Sequence, residues 1–169
     1  MLNAKLLLSK LKLMKISDIL STDVISVGMD TADKEDSIKK IINLAAKSDK
    51  ILDLNKVSQT IFEREKLVST GVGKGFAIPH GKTDAISDVV AAFAITKEPI
   101  DFDSIDGEPV RFIFLLVGKE NLLNTHIKLL SRISRLMNKD EFREKLLEAK
   151  NSDEVLNIFK EEEKNYFDI

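Results

Sequence analysis

The chain contains no cysteine. Disulfides, thiolate nucleophiles and cysteine-ligated metals are thereby excluded, and a reducing compartment such as the cytoplasm fits. Tryptophan is also missing, and there are only two histidines, so each imidazole is a scarce chemical resource. The three prolines fall singly at Pro79, Pro99 and Pro109, and each marks an expected element edge. No apolar run approaches the roughly 18 residues needed to cross a bilayer, so membrane insertion is not expected. Excess charge of one sign is lacking too. Twenty-six basic against 28 acidic residues give a net charge of −2, too weak a field to point to nucleic acid.

What is present suits one domain with one core: 169 residues, 43% hydrophobic and 32% charged. Residues 1–13 stand apart. Leucines alternate with lysines there, without the unbroken apolar stretch or cleavage site of a signal peptide. They read as an N-terminal extension, either a basic amphipathic helix or sequence upstream of a true start at Met14. Residues 14–169 read as the domain.

Within it, a short strand is expected near residues 24–27. Thr31 reads as the N-cap of a helix over about 33–46, with Ile38, Ile41, Ile42 and Ala45 as its apolar face. Asp53 can cap a second helix to about residue 68, with Val57, Ile61 and Phe62 inward. Gly71, Gly73 and Gly75 then shape a loop. The runs at 89–96 and 111–117 are almost continuously apolar and of strand length. They predict strands buried on both faces, with a turn at 104–107 between them. The last third is periodic at helical spacing over about 122–137, 139–149 and 153–164, with Asp140 and Asp153 as candidate initiators. Together these elements predict a single-domain α/β sandwich, a central mixed sheet flanked by helices.

His80 ends an apolar extended piece beside the glycine loop, where sites often lie. Taken alone, it reads as a surface histidine after a turn. His126 falls on the expected stripe of Leu122, Leu123, Ile127, Leu130 and Ile133, so it points inward or to a cleft. Taken alone, it reads as a core histidine. No third ligand stands at zinc spacing, no GxSxG frames a serine, and the glycine loop matches neither GxGxxG nor a P-loop. A phosphohistidine site fits better. A neutral imidazole is a good nucleophile near neutral pH, and phosphoryl transfer asks for positioning and charge neutralisation. Ser69, Thr70, the loop amides, His126 and Arg64 could supply these, while Lys74 and Lys82 flank the site and could steer an anionic partner.

The segment REKLVSTGVGKGFAIPHGKTD, residues 64–84, resembles the active-site signature of phosphotransferase-system IIA domains of the fructose, mannitol and nitrogen-regulatory type. Glu65, Val72, Gly73, Ala77, Ile78, Pro79, His80 and Gly81 fill the signature's places. Phe76 departs from its usual smaller aliphatic. Residues 125–150 resemble the family's second-histidine helix and the segment after it, and residues 14–20 a typical family start. The resemblance implies an α/β sandwich and a phosphotransferase role without metal or other cofactor. In that role His80 accepts a phosphoryl group on Nε2 from the small carrier HPr and passes it to a cysteine of a IIB component. It also implies that His126 hydrogen-bonds the phosphoryl group and that Arg64 contacts the phosphoryl group or a partner. Ser69, Thr70, Gly71 and Gly73 would form the phosphate cradle. Residues 101–110 resemble the fructose branch, which favours sugar uptake. The alternative is a regulatory nitrogen-branch protein acting by phosphorylation-dependent binding. An apolar rim around His80, with Phe76 in it, is expected for partner docking.

Overall fold

The two apolar runs form the centre of the protein, seen here in a computed structural model that describes residues 4–5 and 14–167. Apart from Ala4 and Lys5, the expected N-terminal extension lies outside the described residues. The elements follow in chain order: α1 (Ile16–Ile19), a 3-10 turn (Thr22–Val24), β1 (Ile25–Met29), α2 (Lys34–Ala45) and α3 (Leu54–Leu67). Next come β2 (Gly71–Gly73), β3 (Phe76–Ala77), β4 (His80–Lys82), β5 (Val90–Ile100) and β6 (Val110–Gly118). Helices α4 (Leu123–Met137), α5 (Asp140–Glu148) and α6 (Ser152–Phe167) complete the domain.

The sheet runs β1-β5-β6-β3-β2, with β4 also on β6. β5 and β6 are antiparallel, whereas β1 joins β5, and β3 and β4 join β6, in parallel. The result is the expected mixed sheet, flanked by helices. β5 continues through Pro99 because its register shifts between Ile95 and Ile100, where a residue without an N–H can be tolerated.

The pleat assigns the faces. Phe112, Phe114 and Gly118 lie on one side of β6, with Phe93 opposite Phe114 on β5. Phe93 meets Phe159 of α6 edge-on at 5.2 Å, and Phe142 of α5 meets Phe159 at 5.1 Å. This aromatic side is covered by the C-terminal helices. The other side, with Gly81 paired to Val117, receives α3, because a Cβ on Gly81 would come within 2.8 Å of Thr60 Cγ2.

Side chains cap α2, α3 and α6, with two corrections to the expected caps, whereas α4 and α5 start without one and Asp140 is the first residue of α5. Thr31 is not the N-cap of α2. Asp33 is, accepting from the Asp36 amide at 2.8 Å, while Asp36 reaches back to the Ala32 amide at 2.9 Å. A carboxylate satisfies the free amides better than the threonine hydroxyl two residues earlier. Asn151, rather than Asp153, caps α6 through the Glu154 amide at 2.9 Å. Asp53 caps α3 as expected, accepting from Lys56. The buried side of α4 is His126, Leu129, Ile133, Leu136 and Met137. Leu123 and Ile127 face solvent, so the expected stripe was rotated by part of a turn.

One buried carboxylate ties the two ends of the domain. Glu163 of α6 is fully buried and accepts from the amides of Ile16 and Ser17 at 2.6 and 2.8 Å. Those are free amides of the first turn of α1.

Candidate functional site

His80 opens β4, in register with Leu116 of β6. That parity turns it to the aromatic side of the sheet, toward α4. Its ring stands 5.7 Å from that of His126, inclined by 48°. Two glycines make this approach possible. Gly81 lets β4 lie close on α3, and Gly118 leaves room for His126, since a Cβ there would sit 2.5 Å from its Nδ1.

The tautomer of His80 is set by one contact. Nδ1 lies 2.6 Å from the Ile78 carbonyl oxygen. A carbonyl only accepts, so Nδ1 carries the proton and donates it. The lone pair is therefore on Nε2. His80 is half-buried. Burial lowers its pKa below the ordinary histidine value, Arg64 adds to this, and the Ile78 bond and Glu65 oppose it.

His126 is only 5% exposed. Burial, with smaller contributions from His80 and Lys82, pushes its pKa down to about 4. At neutral pH it is an uncharged imidazole. Its Nδ1 is buried without a hydrogen-bond partner. A bare acceptor is tolerated better than a bare N–H, so the proton belongs on Nε2.

The end of α3 and the loop after it form the other wall. Arg64 is held by a bond from Nη1 to the Val68 carbonyl at 2.9 Å. Glu65 is buried and fixes the loop: it accepts from the amide of Thr70 at 2.9 Å and from its hydroxyl at 2.6 Å. Lys34 of α2 pairs with the same carboxylate at 3.0 Å. The Ser69 hydroxyl donates to the Phe102 carbonyl at 2.8 Å and accepts from the Gly71 amide at 3.1 Å. Asp106 receives the Lys74 amide at 2.9 Å.

Thus His80 and His126 come together, with Arg64 close enough to bias His80. Ser69, Thr70 and Gly71 spend their polar groups on holding the loop, and Gly73 pairs with Phe76 in the β2–β3 ladder. Sequence reasoning placed Glu65 in the signature without a physical role and did not single out Gly118. Their signals were a carboxylate one residue after Arg64 and a glycine ending an apolar strand. Phe76 is 2% exposed and packs in the core rather than at a rim. Exposed apolar side chains include Leu67 and Val68 at the end of α3, Val72 on β2, and Leu123 and Ile127 on the helix that carries His126.

Among the described residues, no group of three or more histidine and carboxylate side chains is placed to hold a metal ion. An open groove of about 830 Å³ lies between α2 and α3, lined by Lys34, Phe62 and Glu65 among others, and neither histidine lines it. Of the two histidines, His80 is partly exposed and His126 lies buried behind it. No described helix is long and apolar enough to cross a membrane.

Comparison with known proteins agrees with this geometry. A sequence model of the family described as phosphoenolpyruvate-dependent sugar phosphotransferase system, EIIA 2, matches residues 18–162. The chain is 36% identical over 146 residues to a PTS system fructose-specific EIIA component of Haloferax volcanii, covering 86% of this chain and 95% of that one. It is 34% identical over 151 residues to the PTS system fructose-specific EIIABC component of Bacillus subtilis, covering 89% of this chain but only 24% of that longer protein. Among solved structures, the nitrogen regulatory protein IIA-Ntr of Neisseria meningitidis superposes with a TM-score of 0.79 at 34% identity, over 85% of this chain and 98% of that one.

Proposed function

The chain belongs to the phosphoenolpyruvate-dependent sugar phosphotransferase system EIIA 2 family, and on that premise we propose that it is a phosphoryl carrier with His80 as its phosphohistidine. The observation that carries this is the bond from His80 Nδ1–H to the Ile78 carbonyl, which leaves Nε2 as the free nucleophile. Nε2 attacks the phosphorus of phospho-HPr. A new N–P bond forms as the donor's N–P bond breaks, and the donor imidazole leaves. A cysteine thiolate of a IIB component then attacks the same phosphorus and frees His80. The Ile78 carbonyl stabilises the ring as it gains positive character. His126, neutral and protonated on Nε2, donates to the phosphoryl oxygens, and Arg64 adds charge stabilisation. Ser69, Thr70, Gly71 and Gly73 act by shaping the loop. Leu67, Val68, Val72, Leu123 and Ile127 are the apolar surface on which HPr and IIB alternate. The cytoplasm is where we place the carrier.

Sugar uptake, of fructose, is the reading we favour, supported by the 36% identity to the fructose-specific Haloferax volcanii protein. A second reading, regulation through phosphorylation-dependent binding, is supported by the likeness to the Neisseria meningitidis nitrogen regulatory protein. The test is incubation with phosphoenolpyruvate, enzyme I and HPr, with His80→Gln as control. Acid-labile label on the wild type alone supports the carrier. Onward transfer to a fructose IIB separates uptake from regulation. No label on the folded wild type, with HPr charged, refutes the carrier.

A further inference from the structure

Lys82 lies two residues beyond His80 on β4, so the pleat turns both side chains to the same face. It pairs in register with Gly118, the glycine whose absent Cβ makes room for the edge of His126. Lys82 therefore stands beside the buried imidazole. It is itself half-buried, and among the described residues no hydrogen bond or ion pair engages its ammonium. Three other cations of this region have partners, and Arg64, with a single Nη1 bond, keeps its charge and its remaining donors. Arg64 is bonded to the Val68 carbonyl, Lys34 is paired with Glu65, and Lys74 extends to the Asn138 carbonyl at 3.5 Å.

The charged and titratable groups acting on His80 are Arg64 and Glu65, and those acting on His126 are His80 and Lys82. Glu65, the one carboxylate among them, is committed to Lys34 and Thr70. The face thus holds two neutral imidazoles and two cations, the Arg64 guanidinium and the Lys82 ammonium, and the carboxylate acting on it is engaged elsewhere. An ammonium without a counter-ion offers its donors and charge to an arriving dianion.

We propose that Lys82 is the counter-charge of the phosphoryl group, its ammonium donating to the phosphoryl oxygens once they are on His80. This rests on the reading of His80 as the phosphoryl acceptor. Lys82 sets how tightly the carrier holds the group relative to HPr, and therefore the direction in which phosphate flows.

The experiment equilibrates wild type, Lys82→Gln and Lys82→Arg with HPr, catalytic enzyme I and limiting phosphoenolpyruvate. Phosphorus NMR reads the ratio of phosphorylated carrier to phospho-HPr and the titration of the bound phosphoryl group. Lys82→Gln is expected to take the label but to hold it about tenfold less favourably, the size of one charge-assisted hydrogen bond. Its phosphoryl group then protonates at higher pH than on the wild type. Lys82→Arg restores the ratio to within about twofold, since it returns the charge. Thermal melting establishes that each variant is folded, and Lys82→Met, which keeps the apolar stem, replaces Lys82→Gln if that variant is not. A neutral variant with wild-type ratio and titration overturns the role of Lys82 alone. A wild type that takes no label overturns the His80 reading and this inference with it.

Discussion

Gly118→Ala tests how the second histidine is held. Gly118 lies in β6 outside the positive-φ region, so alanine meets no backbone strain there. The conflict is one of space. The new methyl would sit 2.5 Å from His126 Nδ1 and 3.2 Å from its Cγ. Ordinary contact lies near 3.5 Å, so the ring has to retreat by about 1 Å. Overpacking of this kind costs about 1–3 kcal/mol, and the lost chain entropy of glycine offsets up to about 1 kcal/mol of it. The net expectation is about 1–2 kcal/mol, read by urea denaturation. The larger effect is on transfer. A misplacement of about 1 Å in the group proposed to stabilise the reacting phosphoryl should slow the reaction by up to about a hundredfold. The assay is rapid-quench transfer from phospho-HPr, with the His126 ring proton followed by NMR. Gly81→Ala is the comparison, because its methyl collides at 2.8 Å with Thr60 on the opposite side of the sheet. It should lose stability with a smaller effect on rate. A Gly118→Ala protein that transfers at wild-type rate with the His126 resonance unmoved refutes the reasoning.

Acid should destabilise the fold through His126. Its folded pKa of about 4 lies below the unfolded value of 6.5, so the folded state binds the proton less well. Stability is full above pH 6.5 and falls as pH drops toward 4, by on the order of 3 kcal/mol. His80, shifted in the same direction, adds to the slope. Denaturation of His126→Gln across this range should show a shallower fall, and an unchanged slope counts against the buried neutral ring. Glu163→Ala strips the acceptor from the Ile16 and Ser17 amides and should cost about 3 kcal/mol in urea denaturation. A loss below about 1 kcal/mol would show that water replaces the carboxylate. Glu65→Gln breaks the pair with Lys34 and should speed hydrogen exchange at the Thr70 amide about tenfold while α3 stays protected. Equal protection at Thr70 would mean that the loop is held by Ser69 alone.

The architecture was readable where burial was two-sided. The runs at 89–96 and 111–117 have no polar face to mislead, and the structure places them side by side at the centre of the sheet. The face of α2 was readable because Ile38, Ile41, Ile42 and Ala45 leave one solution, and all four are buried. Strand order was not readable, since the partner of β1 lies more than 60 residues away and is chosen by tertiary packing. The stripe of α4 misled because Leu123 and Ile127 are apolar yet exposed beside His126, and periodicity cannot tell a buried leucine from an exposed one. His80 stood out through its flanking proline and glycines. The roles of Ser69 and Thr70 did not, because a hydroxyl serves a loop or a ligand equally well. Only the positions of Phe102 and Glu65 decide which.

The contact of Glu163 with Ile16 and Ser17 also says how the domain can be strung into a larger polypeptide. With its first and last helices clasped through one carboxylate, both leads leave from neighbouring points. A host chain can receive such a unit without being stretched across it, and the Bacillus subtilis relative matches this chain over only a quarter of its length. The same proximity makes a circular permutant feasible. A short glycine-rich splice from residue 167 to residue 14, with new ends cut in the turn at residues 104–107, should return the same sheet.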